Sequence, residues 1–204
     1  MHNQKTYKLS FIILSSVLLL CFFMNISLGS VSIPFKDIFN SIIGTPIEKE
    51  YWKDIILDFR LPKAFTAILV GSGLGISGLL MQTLFKNPLA GPFVLGISSG
   101  ASLGVALVVM GSSFFGGSMA ILLASIWSLV IASSLGSFLV LLAVILVSSK
   151  VRDTMAILII GLMFASITAA VVSVLSYFAS AEQLQQYIFW GFGSLGCLSW
   201  KEVL

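Results

Sequence analysis

Residues able to do chemistry are scarce in this chain. Charged side chains make up 9% of its 204 residues, against the ~25% usual in soluble domains. The single histidine is His2, and the two cysteines, Cys21 and Cys197, lie far apart. No Cys/His group has metal-ligand spacing, so neither a metal site nor a disulfide is expected. No Ser-His-Asp, Cys-His or paired-carboxylate set occurs, so no catalytic residue is assigned. No glycine-rich loop with Gly-Lys-Ser/Thr occurs, so ATP is not held by a P-loop. No cofactor is expected. Charge collects instead at the ends of apolar runs. Arg60 and Lys63 flank Leu61-Pro62, and Asp153-Thr154 follow Lys150-Val151-Arg152. Two cations at the mouth of an apolar run can reach a carboxylate, or they can anchor at an interface with their heads in water. Asp153 before a helical run has the chemistry of an N-cap.

The elements that hold these residues are dictated by hydropathy. The chain is 58% hydrophobic, and only a bilayer accepts so much apolar surface outside a core. The expected fold class is all-α, a polytopic helical membrane protein. Span 1 is expected over 9–29, as a retained helix that is too long for the ~7–15-residue apolar core of a signal peptide. Residues 30–63 form an outer loop. Within it Phe35, Ile38, Phe39, Ile42 and Ile43 follow Pro34 at helical spacing and Gly44 closes the run, the pattern of a short amphipathic helix on the membrane surface. Further spans are expected over 64–85, 93–110, 119–147 and 154–178, followed by an outer segment over 181–204. Basic residues in short loops set orientation. Lys5, Lys8, Lys86, Lys150 and Arg152 then face the cytoplasm together with the N-terminus, and the segment from Lys36 to Lys63, with five basic and five acidic residues, lies outside. No basic face with interleaved aromatics exists, which excludes nucleic acid as a partner.

The spans themselves carry small residues rather than charges. Gly71, Gly75 and Gly78 mark the second span, Gly96, Gly100 and Gly104 the third, and Gly161, Ala165 and Ala169 the fifth. Small residues about four apart let helices approach closely, and lipid offers no hydrophobic push to replace that packing. From Ala64 to Phe85, Phe93 to Ser149 and Thr154 to Ala181 no Asp, Glu, Lys, Arg or His occurs. Ion-coupled carriers place ionisable groups at membrane depth, so an ion-coupled secondary carrier is disfavoured. A non-transporting membrane scaffold stays open as the rival from another class.

Particular residues carry a family resemblance. Asp58-Phe59-Arg60-Leu61-Pro62-Lys63 opens the second span. Leu69-Val70-Gly71, Gly75-Ile76-Ser77-Gly78, Met81-Gln82, Phe85-Lys86-Asn87-Pro88-Leu89-Ala90 and Leu95-Gly96-Ile97-Ser98-Ser99-Gly100-Ala101 follow in order, and Glu182-Gln183-Leu184, Phe189-Trp190, Gly193-Ser194-Leu195 and Ser199-Trp200 come later. This order resembles the permease subunits of ABC importers for iron(III)-siderophores, haem and cobalamin, over nearly the whole chain from about residue 9. Members of that family look about half again as long, with ten spans. The resemblance therefore implies a fragment covering about five of ten spans plus an outer segment.

The resemblance also implies partners and roles. The partners are a second permease copy (identical or a paralogue), ATP-binding cassette subunits, an external substrate-binding protein and membrane lipid. The implied location is the cytoplasmic (inner) membrane, and ATP hydrolysis belongs to a partner subunit. Arg60 and Lys63 fall on the outer basic positions that meet acidic residues of the binding protein. The family usually has arginine where Lys63 stands, so that contact loses its bidentate fork. Asp153 and Thr154 fall near the inner gate. Ser166, Thr168, Ser173 and Ser176 of the fifth span are the candidates for lining the pore.

Overall fold

The computed structural model describes residues 4–111, 125–151, 153–196 and 198–203, and every regular element among them is helical. Helix α1 is Gln4–Ser27 and α2 is Phe35–Ile43. Helix α3 runs Tyr51–Phe85 without interruption, with a π-helical stretch at Ile55–Arg60. A 3₁₀ turn, Pro92–Leu95, leads into α4, Ile97–Val109. Then follow α5 (Ile126–Ser148), α6 (Thr154–Phe178), α7 (Ala181–Phe192) and the single turn α8 (Trp200–Val203).

Four of these helices, α1, α3, α5 and α6, are long and apolar enough to cross a membrane. At 1.5 Å per residue the 35 residues of α3 reach ~50 Å, well past a hydrocarbon core of ~30 Å. It starts at Tyr51, whereas hydropathy places the start at residue 64. The charges at Lys53, Asp54 and Asp58 hide its first turns. Helix α4 is shorter than the span expected over 93–110. Its 13 residues reach only ~20 Å, because Gly96 takes a left-handed conformation (φ 77°) that ends the 3₁₀ turn and starts a new helix. The first part of the span expected over 119–147 lies outside the described residues, as do Arg152 and Cys197.

The chain divides into two compact units, residues 1–73 with 194–204, and residues 74–193. In the first, Ile26, Ile33, Ile38, Trp52, Ile56 and Ala64 form a small buried core. Helix α2 contributes Ile38 to it and keeps Phe35, Phe39, Ile42 and Ile43 exposed. Left-handed Gly44 (φ 82°) caps it, its N–H donating to Asn40 O. In the second unit, α4 packs along α5 and α6, and Phe85, Ala90, Leu95, Val140 and Val144 are buried together.

Candidate functional site

In the first unit, Arg60 and Lys63 lie three residues apart on one helix and line the same cavity of about 370 Å³. Their surroundings differ. Helix α1 stops at Ser27, which leaves its last carbonyls without helical partners. Arg60 supplies them. One guanidinium nitrogen donates to Ile26 O at 2.6 Å and Ser27 O at 2.9 Å, and the other donates to Val31 O. A cation at a helix C-terminus is favoured by the dipole as well as by the hydrogen bonds. Arg60 is only 9% exposed. A Cβ on Gly29 would sit 2.9 Å from its terminal nitrogen, so glycine there lets the guanidinium close onto the chain. Ser27 tightens the same turn, its hydroxyl donating to Ile33 O at 2.9 Å. Lys63, by contrast, is exposed. The π-helical stretch that ends at Arg60 carries one more long-range contact, from Trp200 Nε1 to Leu57 O at 2.7 Å. Such stretches recur at functional sites.

In the second unit the small residues of α4 set helix separation. A Cβ on Gly100 would come within 2.6 Å of Gly136 O, and one on Gly104 would strike Ala132 O. One on Gly161 would meet Val94 O at 2.6 Å, and Gly96 faces Gly161 O. Gly71, Gly75 and Gly78 of α3 meet nothing within 4 Å. The two stripes therefore have different surroundings despite similar spacing.

The four hydroxyls of α6 that the sequence offers as pore candidates, Ser166, Thr168, Ser173 and Ser176, fall on two faces. Ser166 and Ser173, seven residues apart, are exposed on one face and donate back to Leu162 O and Ala169 O. Thr168 is buried and donates to Phe164 O and Ala165 O, while Ser176 reaches Met110 Sδ at 3.8 Å on the packed side. Asp153 caps α6, its carboxylate accepting from Met155 N at 2.9 Å. The Thr154 side chain lies outside the described residues.

Helix α7 is fastened to α4 by two polar contacts. Tyr187 and Ser102 share a hydrogen bond between hydroxyls, and Gln183 Nε2 donates to Val109 O at 3.0 Å. Ser180 and Gln183 close a capping box at its start. Sequence reasoning assigned no role to Ser27, Gly29, Gly136 or Tyr187. Only Gly136 left a readable signal, as a lone glycine inside an apolar run.

Fold and site define an all-helical polytopic membrane protein whose helices associate through small residues and whose polar groups gather at the ends. Residues 17–204 match the FecCD transport family, and the chain belongs to that family. It is 35% identical to the hemin transport system permease protein HmuU of Yersinia pestis, over 87% of this chain and 51% of that one. It is 32% identical to the vitamin B12 import system permease protein BtuC of Klebsiella pneumoniae, over 72% of this chain and 42% of that one. Among solved structures it resembles a metal-chelate type ABC transporter in an inward-facing conformation, with a TM-score of 0.75 and 27% identity over 94% of this chain and 55% of that one. The chain thus spans about half the length of the relatives it matches.

Proposed function

We propose that this chain is part of the permease subunit of an ABC importer that moves an iron-siderophore, haem or cobalamin-type chelate across the cytoplasmic membrane. The family match over residues 17–204 carries this reading. Spans without ionisable groups support it, since ion-coupled carriers place such groups at membrane depth. Drive then comes from separate ATP-binding cassette subunits, and a second permease copy completes the conduit. The N-terminus and the loops with Lys86 and Lys150 face the cytoplasm. The external binding protein docks at the opposite end, on Arg60 and Lys63. Lys63 presents the free charge there, and Arg60 fixes the α1 terminus beside it. Ser166 and Ser173, on the exposed face of α6, line the conduit, and Asp153 and Thr154 stand at its inner gate.

The test is uptake by proteoliposomes that hold the full-length gene product with its ATPase and binding protein. ATP should drive uptake of labelled haem, cobalamin or an iron-siderophore, and a non-hydrolysable analogue should not. Uptake that is indifferent to ATP, or the absence of any co-purifying ATPase, overturns the reading. Lys63→Glu should weaken binding-protein affinity at low salt by about tenfold, since it turns an attractive rim charge into a repulsive one. An unchanged affinity removes Lys63 from the docking surface.

A further inference from the structure

In the second unit a half-open cavity of about 410 Å³ lies at the ends of α3 and α5 that lead to Lys86 and Lys150, with Leu95 and, from α6, Ile157 also in its wall. That volume falls in the ~300–1,000 Å³ range of small-ligand sites. Met81, Leu84 and Phe85 of α3 face Leu141 and Val144 of α5 across it. The lining contains one polar side chain, Ser148. It is 9% exposed, and its hydroxyl has no hydrogen-bond partner. Two serines of the same helix and the one just past it are paired. Ser133 donates to Val130 O at 3.0 Å, Ser137 to Ile97 O at 3.1 Å and Ser149, beyond the helix, to Leu146 O at 2.7 Å. A buried polar group without a partner marks a place where one belongs.

The rim has a definite charge. Lys86 directly follows Phe85, Lys150 lies two residues beyond Ser148, and both are exposed. The acid at this end, Asp153, has its carboxylate engaged by Met155 N. On the lipid side the cavity is flanked by Leu84 and Ile145, both more than half exposed. An apolar slot with one donor in its wall, and with a cation just past each of the two helix ends that line it, has the polarity profile of a phospholipid: acyl chain, ester, phosphate.

We propose that this cavity binds an anionic phospholipid of the inner leaflet. One acyl chain fills the space between α3 and α5, an ester carbonyl accepts from Ser148 Oγ, and the phosphate lies between Lys86 and Lys150. The leaflet assignment rests on the topology proposed above, in which this end faces the cytoplasm. Basic pockets between spanning helices on that side attract anionic headgroups.

The test needs neither ATPase nor binding protein, so a failed uptake assay leaves it standing. The full-length protein is reconstituted in nanodiscs of phosphatidylglycerol and phosphatidylcholine in equal parts with matched acyl chains. Lipid retained after extraction is then counted by native mass spectrometry. The wild type should keep phosphatidylglycerol over phosphatidylcholine by about twenty-fivefold, at about fivefold for each of the two lysines. Lys86→Ala with Lys150→Ala, both on the surface and safe for folding, should abolish that preference. Ile145→Trp should displace the lipid with both lysines intact, and Ser148→Ala should weaken retention of both lipids alike. Equal retention of the two lipids by the wild type overturns the proposal. So does a preference that survives the lysine pair, or a cavity already filled by another part of the protein and retaining no lipid.

Discussion

Helices α3 and α4 carry the same kind of sequence and stand in different surroundings. Gly71, Gly75 and Gly78 of α3 look onto open space, while Gly100 and Gly104 of α4 touch the backbone of α5. Helical spacing of small residues permits close approach, but it does not determine whether another backbone occupies the groove. The difference between the stripes is thus a difference of neighbours, and substitution reads it directly. Gly100→Ala places a methyl group 2.6 Å from Gly136 O. Helix α5 must move, at a cost of about 2–3 kcal/mol. Gly75→Ala adds the same methyl group to free space and should change stability by no more than about 1 kcal/mol, favourably on helix propensity. Thermal unfolding in detergent compares the two. Equal losses at both positions would show that the α3 stripe is also covered.

The basic pair of α3 offers the same contrast on a polar scale. Arg60 and Lys63 line one cavity, yet Arg60 holds the last two carbonyls of α1 and that of Val31 in the loop beyond, while Lys63 is exposed. Arg60→Ala takes this donor from Ile26 O and Val31 O, while Ser27 O keeps Ile33 N at 3.2 Å, and should cost about 3 kcal/mol. Lys63→Ala should stay within about 0.5 kcal/mol. Arg60→Lys should fall between them, because one ammonium cannot reproduce the planar fork. A stability loss at Lys63 as large as that at Arg60 would erase the division of labour. At α7 the expected effects are smaller. Tyr187→Phe removes one hydroxyl bond to Ser102, worth about 1 kcal/mol. It should raise amide exchange through α7 while leaving α5 protected.

Much of this was legible in the sequence, and what was not has a physical cause. Apolar runs announced α1, α5 and α6, because a lipid-facing helix must be apolar all along. Pro34 and Gly44 bracketed α2 within one residue at either end, since their backbone preferences are local. Asp153 signalled its cap for the same reason. The Arg60 clamp was invisible because its acceptors lie 29 to 34 residues away, and a backbone carbonyl leaves no trace in residue identity. The start of α3 at Tyr51 was masked by charges that a helix reaching past the hydrocarbon core can carry. The two faces of α6 could not be told apart, because Ser166 and Thr168 differ in their neighbours rather than in their chemistry.

The smallest expected effect concerns Glu182, in the first turn of α7. Its own backbone N–H and the Ser180 hydroxyl hold the carboxylate below the ordinary carboxylate range, against a weaker opposing effect of desolvation. An anion at a helix N-terminus is favoured by the dipole in the same sense. Because the folded-state pKa is depressed, the stabilisation is complete above the unfolded value of 4.5 and is lost as pH falls through the folded one. Protection of α7 amides, corrected for intrinsic exchange rates, should therefore be flat from pH 7 to about 5 and decline below that. Glu182→Gln should remove the decline while leaving Tyr187 and Gln183 in place. Salt should shrink it too, since the carboxylate is fully exposed and its field is screened within ~10 Å at 0.1 M. A decline that persists in the glutamine variant would move the acid sensitivity of α7 to another group.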